Sequence, residues 1–157
     1  MKTMLTSLRS VALSRLMQYR KYRNFLLQQD INIRAANAPS ARGIDHAARP
    51  FDPAAREIRL MRGWVQAIDR VREKLSAENP EKAQFMNRCF GLDQTRPTHR
   101  SQRACLIDLM IEMRISESTA YKWRENILDL VLFSAIEAGI LMPFGKSGRK
   151  QDQTTAE

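Results

Sequence analysis

The sequence predicts an all-α protein, in which an N-terminal basic helix and a helical hairpin precede a C-terminal helix-turn-helix. Apolar residues recur three and four positions apart in several segments, which is the period of a helix that buries one face. No segment alternates apolar and polar residues over the length of a strand. Only 7% of the residues are aromatic, whereas leucine and methionine are plentiful, and this composition favours helices over sheets. With 157 residues, 43% of them hydrophobic, the chain suits one domain, or one domain plus an arm.

The net charge of +9 favours a polyanionic partner, and most of the excess lies near the N-terminus. Residues 1–49 carry 9 Lys and Arg against 2 Asp and Glu, whereas residues 50–97 carry 9 against 7. Residues 98–150 carry 8 against 6. The N-terminal excess therefore suits phosphate binding, while any sequence preference would come from the C-terminal helices.

Residues 1–31 are predicted to form a basic amphipathic helix, continuous over residues 1–29, with no acid before Asp30. Its apolar stripe comprises Leu5, Leu8, Ala12, Leu16, Tyr19 and Leu26. Such a helix can pack on the rest of the protein or on a second copy. Its composition is also typical of a mitochondrial transit peptide, whereas Arg9 and Arg15 interrupt any secretory signal.

Residues 32–51 are predicted to form a linker, because Pro39, Gly43 and Pro50 argue against a continuous helix. Its arginines are candidates for phosphate contact, although a solvated linker is the simpler interpretation.

The middle region, residues 52–97, begins with a clear helix start, an acid at Asp52 followed by Pro53. The helix that follows has an apolar stripe broad enough for two neighbours. Its members are Ile58, Leu60, Met61, Trp64, Val65, Ile68, Val71 and Leu75. We expect Trp64 in the core, with a dimer interface as the alternative.

A second start at Asn79-Pro80 predicts a short helix that ends at Gly91. Its apolar residues are Phe85, Met86, Cys89 and Phe90.

The two cysteines, Cys89 and Cys105, and the two histidines, His46 and His99, show no metal-ligand spacing. We therefore expect buried thiols in a reducing compartment, and neither a metal nor a cofactor. No motif brings a nucleophile, a base and an oxyanion donor together, so the chain is not expected to be an enzyme.

The strongest pattern lies in residues 98–144, where two helical segments are separated only by Arg114-Ile115-Ser116. Ser116 is placed to cap the second helix, and Ile115 would fill the gap between the two. The predicted buried face of the second helix comprises Ala120, Trp123, Ile127, Leu130, Val131 and Ala135.

The opposite face of this helix mixes donors, acceptors and a cation, which suits a helix that reads base edges in the major groove of double-stranded DNA. Its candidate contacts are Ser118, Tyr121, Lys122, Glu125 and Asn126. Lys122 would donate to guanine, Glu125 would accept from cytosine and Asn126 would pair with adenine. The candidate phosphate contacts are Arg100, Arg103, Arg114 and Arg124.

One stretch is specific enough to compare with known families. It is ISESTAYKWR, residues 115–124, followed by Ile127-Leu128 and Ala138-Gly139-Ile140. This stretch resembles the C-terminal end of phage and prophage late-gene transcriptional regulators of the ArpU/RinA type, whose helix-turn-helix is similar to that of sigma-factor region 4. The resemblance implies a sequence-specific DNA-binding regulator in a bacterial cytoplasm. The similarity to sigma-factor region 4 does not itself imply contact with RNA polymerase, so RNA polymerase and a homodimer are further partners to test.

The chain departs from such motifs at two positions. Met110 stands in the first helix where a small residue is common, and Arg114 stands where Gly or Asn often makes the turn. A left-handed backbone costs a non-glycine residue about 1 kcal/mol, so the sequence leaves the geometry of the turn open.

Two other functions fit the same pattern. A phage DNA-packaging component, such as a small terminase subunit, also combines a helix-turn-helix with oligomerising helices. A helical protein-interaction adaptor would use its basic helix to bind an acidic protein, and two amphipathic helices joined by a tight turn occur in many bundles.

At the C-terminus, Ile140, Leu141 and Phe144 are expected to fold back as a hydrophobic clasp. Residues 145–157 are polar and aperiodic and are expected to be disordered. The apolar run at residues 130–136 is too short to span a bilayer, so we expect a soluble protein with no membrane contact.

Overall fold

The computed structural model describes residues 2–36, 53–93 and 102–141. Within these ranges the chain forms six helices and no strand, which confirms the all-α prediction. The helices are α1 (Lys2–Met17), α2 (Tyr19–Ala36), α3 (Pro53–Glu78), α4 (Pro80–Cys89), α5 (Gln102–Met113) and α6 (Glu117–Glu137).

The single N-terminal helix predicted over residues 1–29 is wrong, because the chain divides it at Gln18 into α1 and α2. The backbone N–H of Gln18 is shared between the carbonyl oxygens of Ser14 and Arg15, both 3.2 Å away. No Gly or Pro marks this break, and its cause is tertiary, since α1 packs on α6 whereas α2 packs on α3. The second helix then continues to Ala36, so the first residues of the predicted linker are helical.

The junction of the first three helices is held by Arg15. Its guanidinium lies 5.5 Å from the centre of the Trp64 ring and donates a hydrogen bond of 2.5 Å to the Tyr22 hydroxyl. Trp64 is only 3% exposed and belongs to the core, as predicted. A cation over an indole face is worth about 1 kcal/mol or more when water is partly excluded.

Helix α3 is the centre of the fold, because α2, α4 and α6 all pack against it. The predicted stripe is buried where these neighbours cover it, at Ile68, Val71 and Leu75. Near the start of α3, Leu60 is 39% exposed although it lies on the same stripe. Burial therefore follows the extent of the neighbouring helices and not the periodicity alone.

Helices α4, α5 and α6 pack together, and we call this unit the three-helix head. The rings of Phe85 and Trp123 meet edge to face with centroids 5.5 Å apart, and Arg88 pairs with Glu112 at 2.6 Å. The cap predicted at Asn79 is present, since its side chain accepts from the N–H of Lys82. The short helix assigned to the middle region thus also supports the C-terminal pair.

Two predictions near the ends of the described ranges have different outcomes. Ile140 and Leu141 pack against the core, as expected for the clasp. Arg100, Phe144, the tail and the linker beyond Ala36 lie outside the described residues. Among the six described helices, none is long and apolar enough to cross a membrane.

Candidate nucleic-acid interface

The turn between α5 and α6 is tight and has a defined geometry. Arg114 takes a left-handed backbone with φ of 55°, and the N–H of Ile115 donates to the carbonyl of Met110 at 3.1 Å. This is the hydrogen bond that closes a helix C-terminus through a left-handed residue. The same bond recurs after α4 and α6, where Gly91 and Gly139 occupy the left-handed position. Arg114 therefore fills a position for which the chain elsewhere uses glycine.

Ser116 caps α6 as the sequence predicts. Its Oγ accepts from the N–H of Thr119 at 3.1 Å and donates to the Thr119 hydroxyl oxygen at 2.9 Å. Ile115 is half-buried against the core, which confirms its predicted role as a filler between the helices. Together the cap and the filler determine the direction in which α6 leaves the turn.

The buried face of α6 agrees with the prediction. Ala120, Ile127, Val131 and Ala135 are each 0% exposed, and Trp123 and Leu130 pack partly buried beside them. The C-terminal half of the helix reaches α3, where the buried Ser134 hydroxyl donates to the carbonyl oxygen of Ala67 at 2.9 Å. The helix is therefore fixed along its whole length by the core.

The exposed face of α6 begins with Ser118, Tyr121 and Lys122. All three side chains are solvent-exposed, Tyr121 by 43%. Within the described part of the chain they make no hydrogen bond or ion pair. These side chains are therefore available to an external ligand.

Glu125 and Asn126, the next two predicted contacts, already have partners within the protein. Lys82 of α4 donates from its Nζ to the Oδ1 of Asn126, and burial lowers the pKa of this lysine. The Glu125 carboxylate is 4.0 Å from the nearest guanidinium nitrogen of Arg9, and its side chain stays 59% exposed. A ligand that contacts Glu125 or Asn126 therefore competes with Arg9 or Lys82 for the same side-chain oxygens, or binds beside them.

Arg9 and Asp129 form a bidentate pair that joins α1 to α6. The Nε and Nη2 atoms of Arg9 donate to the two carboxylate oxygens at 2.9 and 3.0 Å. The hydrogen bond to Asp129 raises the pKa of Arg9, although partial burial opposes this shift. Sequence reasoning missed both Arg9 and Lys82, because neither lies near α6 in the chain and no local pattern indicates such a pairing.

A groove of about 320 Å³ separates α1 from α6. Thr6, Arg9 and Ser10 line one wall, and Arg124 and Glu125 line the other. Helix α1 therefore lies beside the middle of α6, at residues 124–129. It borders the candidate interface and is not a separate arm.

Of the four predicted phosphate contacts, the structure describes the side chains of Arg114 and Arg124. Arg114 is exposed in the turn, whereas Arg124 is half-buried. The positive charge of Arg124 acts to lower the pKa of the Cys89 thiol. Burial outweighs that charge and raises the pKa of Cys89 to about 12, as expected for an inert thiol. Arg100 and the side chain of Arg103 lie outside the described residues.

A second polar cluster lies on the other side of α3. The buried Tyr19 hydroxyl donates to Asp69 and accepts from Arg72 at 2.9 Å. Arg72 also donates to Asn87 at 2.9 Å and to Asp93 at 2.5 Å. These bonds tie α2, α3 and α4 together, and an open groove lies over them. In the described ranges, no group of three or more His, Cys, Asp or Glu side chains is placed to hold a metal.

Comparison of the chain with protein-family models, with curated proteins and with solved structures finds no match.

Proposed function

We propose that the chain is a sequence-specific DNA-binding transcriptional regulator in which the first half of α6 lies in the major groove. The observation that carries this proposal is the exposed face at Ser118, Tyr121 and Lys122, which follows a capped, tight turn. An α-helix with its side chains is about 10–12 Å across, which is close to the width of the major groove.

The roles of the contacts follow from their chemistry. Lys122 donates to guanine, and Glu125 accepts from cytosine while Arg9 stays beside it. Asn126 pairs with adenine only after Lys82 releases its amide oxygen. Arg114 and Arg124 contact phosphate.

The gene class is a phage or prophage transcription unit, and the bacterial cytoplasm is the corresponding location. This part of the proposal is supported by the resemblance of residues 115–124 to ArpU/RinA-type regulators. The net charge of +9 agrees with a DNA partner. RNA polymerase and a second copy of the chain are the protein partners to test.

The proposal is tested by binding of the purified protein to fragments of its own genome at two salt concentrations, with protection mapping. Retention of one short site at the higher salt is the expected result. Loss of all binding as salt rises, without a preferred fragment, would contradict sequence-specific recognition.

On the retained site, Lys122→Ala is expected to weaken binding about tenfold, since a good base contact is worth about 1–3 kcal/mol. The matched control is Lys21→Ala, which removes the same charge from an exposed position on α2, a helix that packs on α3. Equal binding by the wild type and Lys122→Ala on every site tested would remove Lys122 from the interface.

A protein-interaction adaptor is the second candidate, and one observation favours it. Ile107 and Ile111 are 46% and 72% exposed and lie one turn apart on α5. Exposed apolar neighbours of this kind are typical of protein contacts. Absence of DNA binding at low salt, together with capture of an acidic protein partner, would favour this candidate.

A further inference from the structure

Acidic side chains outnumber basic ones on α6. Its acids are Glu117, Glu125, Asp129 and Glu137, and its cations are Lys122 and Arg124. A polyphosphate that approaches this helix meets more negative than positive charge from α6 itself. The exposed helix alone is therefore poorly matched to DNA.

Arg9 supplies the missing charge from another part of the chain. It holds Asp129 through two hydrogen bonds of 2.9 and 3.0 Å, and its third nitrogen stands 4.0 Å from Glu125. The side chains of Arg9 and Asp129 are both still more than a quarter exposed, at 28% and 29%. Their charges consequently act on solvent and on any ligand at the surface.

We infer that Arg9 is a positioning residue of the DNA interface: it offsets the negative charges of Asp129 and Glu125 on α6. This inference rests on the proposed function, and it assigns a DNA-related role to a helix that the sequence places more than a hundred residues away. Direct phosphate contact is not its role, because two of the three guanidinium nitrogens are engaged by Asp129.

Two substitutions that change the charge of the Arg9–Asp129 ion pair in opposite directions distinguish the neutralising role of Arg9 from a purely structural role. Arg9→Gln and Asp129→Asn both break the pair, so a purely structural role predicts that both lower DNA affinity. Neutralisation predicts opposite signs, because Arg9→Gln leaves two unscreened carboxylates whereas Asp129→Asn removes one.

The experiment measures the affinity of the full chain for a double-stranded DNA fragment of random sequence at low salt, by fluorescence anisotropy. We expect Arg9→Gln to weaken binding about fivefold and Asp129→Asn to strengthen it by a similar factor. The double variant returns close to the wild type. Both single-variant differences shrink as salt rises, because exposed charges are screened.

The matched control is Arg20→Gln, which makes the same change of net charge at an exposed position on α2. If Arg20→Gln lowers the DNA affinity as much as Arg9→Gln does, the net charge of the protein alone explains the change. That outcome would overturn the inference. Weaker binding by both Arg9→Gln and Asp129→Asn would also overturn it in favour of a structural role. If the wild type and every variant fail to bind DNA at low salt, the proposed function itself fails.

Discussion

The hydroxyl of Ser134 donates a hydrogen bond of 2.9 Å to the main-chain carbonyl of Ala67, inside the contact between α6 and α3. Ser134 is 8% exposed, and it is the buried polar side chain of the described core. The bond joins positions 67 residues apart and helps to fix the register of α6 against α3.

Ser134→Ala is expected to lower the free energy of unfolding by about 1 kcal/mol, because the side-chain hydrogen bond is lost. The loss is no larger because the Ala67 carbonyl can still accept a backbone hydrogen bond within α3. Chemical denaturation monitored by circular dichroism measures this change. Ser118→Ala at the exposed end of the same helix is the control and should alter the free energy by less than about 0.5 kcal/mol. Equal effects of the two changes would mean that the buried bond contributes nothing.

Arg114→Gly is expected to raise the free energy of unfolding by up to about 1 kcal/mol, because glycine adopts the left-handed backbone without steric cost. The same variant should bind DNA less tightly, since the proposed phosphate contact is gone. Thermal unfolding and anisotropy measure the two effects on one preparation. Gly139→Ala provides the converse control: it adds strain at φ of 75° with no atom within 4 Å, and should destabilise without changing the DNA affinity. A destabilised Arg114→Gly variant would show that the arginine side chain stabilises the turn.

Gly63→Ala is expected to destabilise the protein by about 1–3 kcal/mol, although alanine is the better helix former. A Cβ at this position would lie 2.6 Å from the Cγ2 of Ile140, a branched methyl group with little freedom to move. Adding Ile140→Ala should remove the clash and recover part of the loss. Denaturant titration of the two single variants and the double variant completes a double-mutant cycle, and an additive result would exclude this contact as the cause.

The stability of the wild type is expected to fall above about pH 10, because the pKa of Tyr19 is raised above its ordinary value of 10.0. Burial is the main cause, and the hydrogen bond to Asp69 and the charge of that carboxylate add to it, against the charge of Arg72. Because the pKa of Tyr19 is higher in the folded state than in the unfolded state, the tyrosine contributes to the free energy of unfolding. This contribution is complete below about pH 10, and it is lost as the pH rises through the pKa of the folded state. Denaturation midpoints over an alkaline series measure the effect. Tyr19→Phe should flatten the curve, whereas Tyr121→Phe at an exposed site should leave it unchanged.

Local periodicity accounts for what the sequence predicted of the fold. The buried face of α6 and the Ser116 cap were foreseeable, because both depend on residues within a few positions of one another. The break at Gln18 was not foreseeable, since it arises because α1 packs on α6 whereas α2 packs on α3. No Gly or Pro in the sequence marks it. The partners of Glu125 and Asn126 were equally hidden, because Arg9 and Lys82 approach α6 only through the tertiary fold.

Helix α6 is one uninterrupted helix of 21 residues, so its exposed beginning and its buried end form a single rigid body about 30 Å long. A substitution that turns the buried end about the helix axis turns the exposed side chains by the same angle. In evolutionary terms, the two surfaces cannot be tuned independently. A change in the packing of α3 against α6 is also a change in what the exposed face presents, and selection on either one constrains the other.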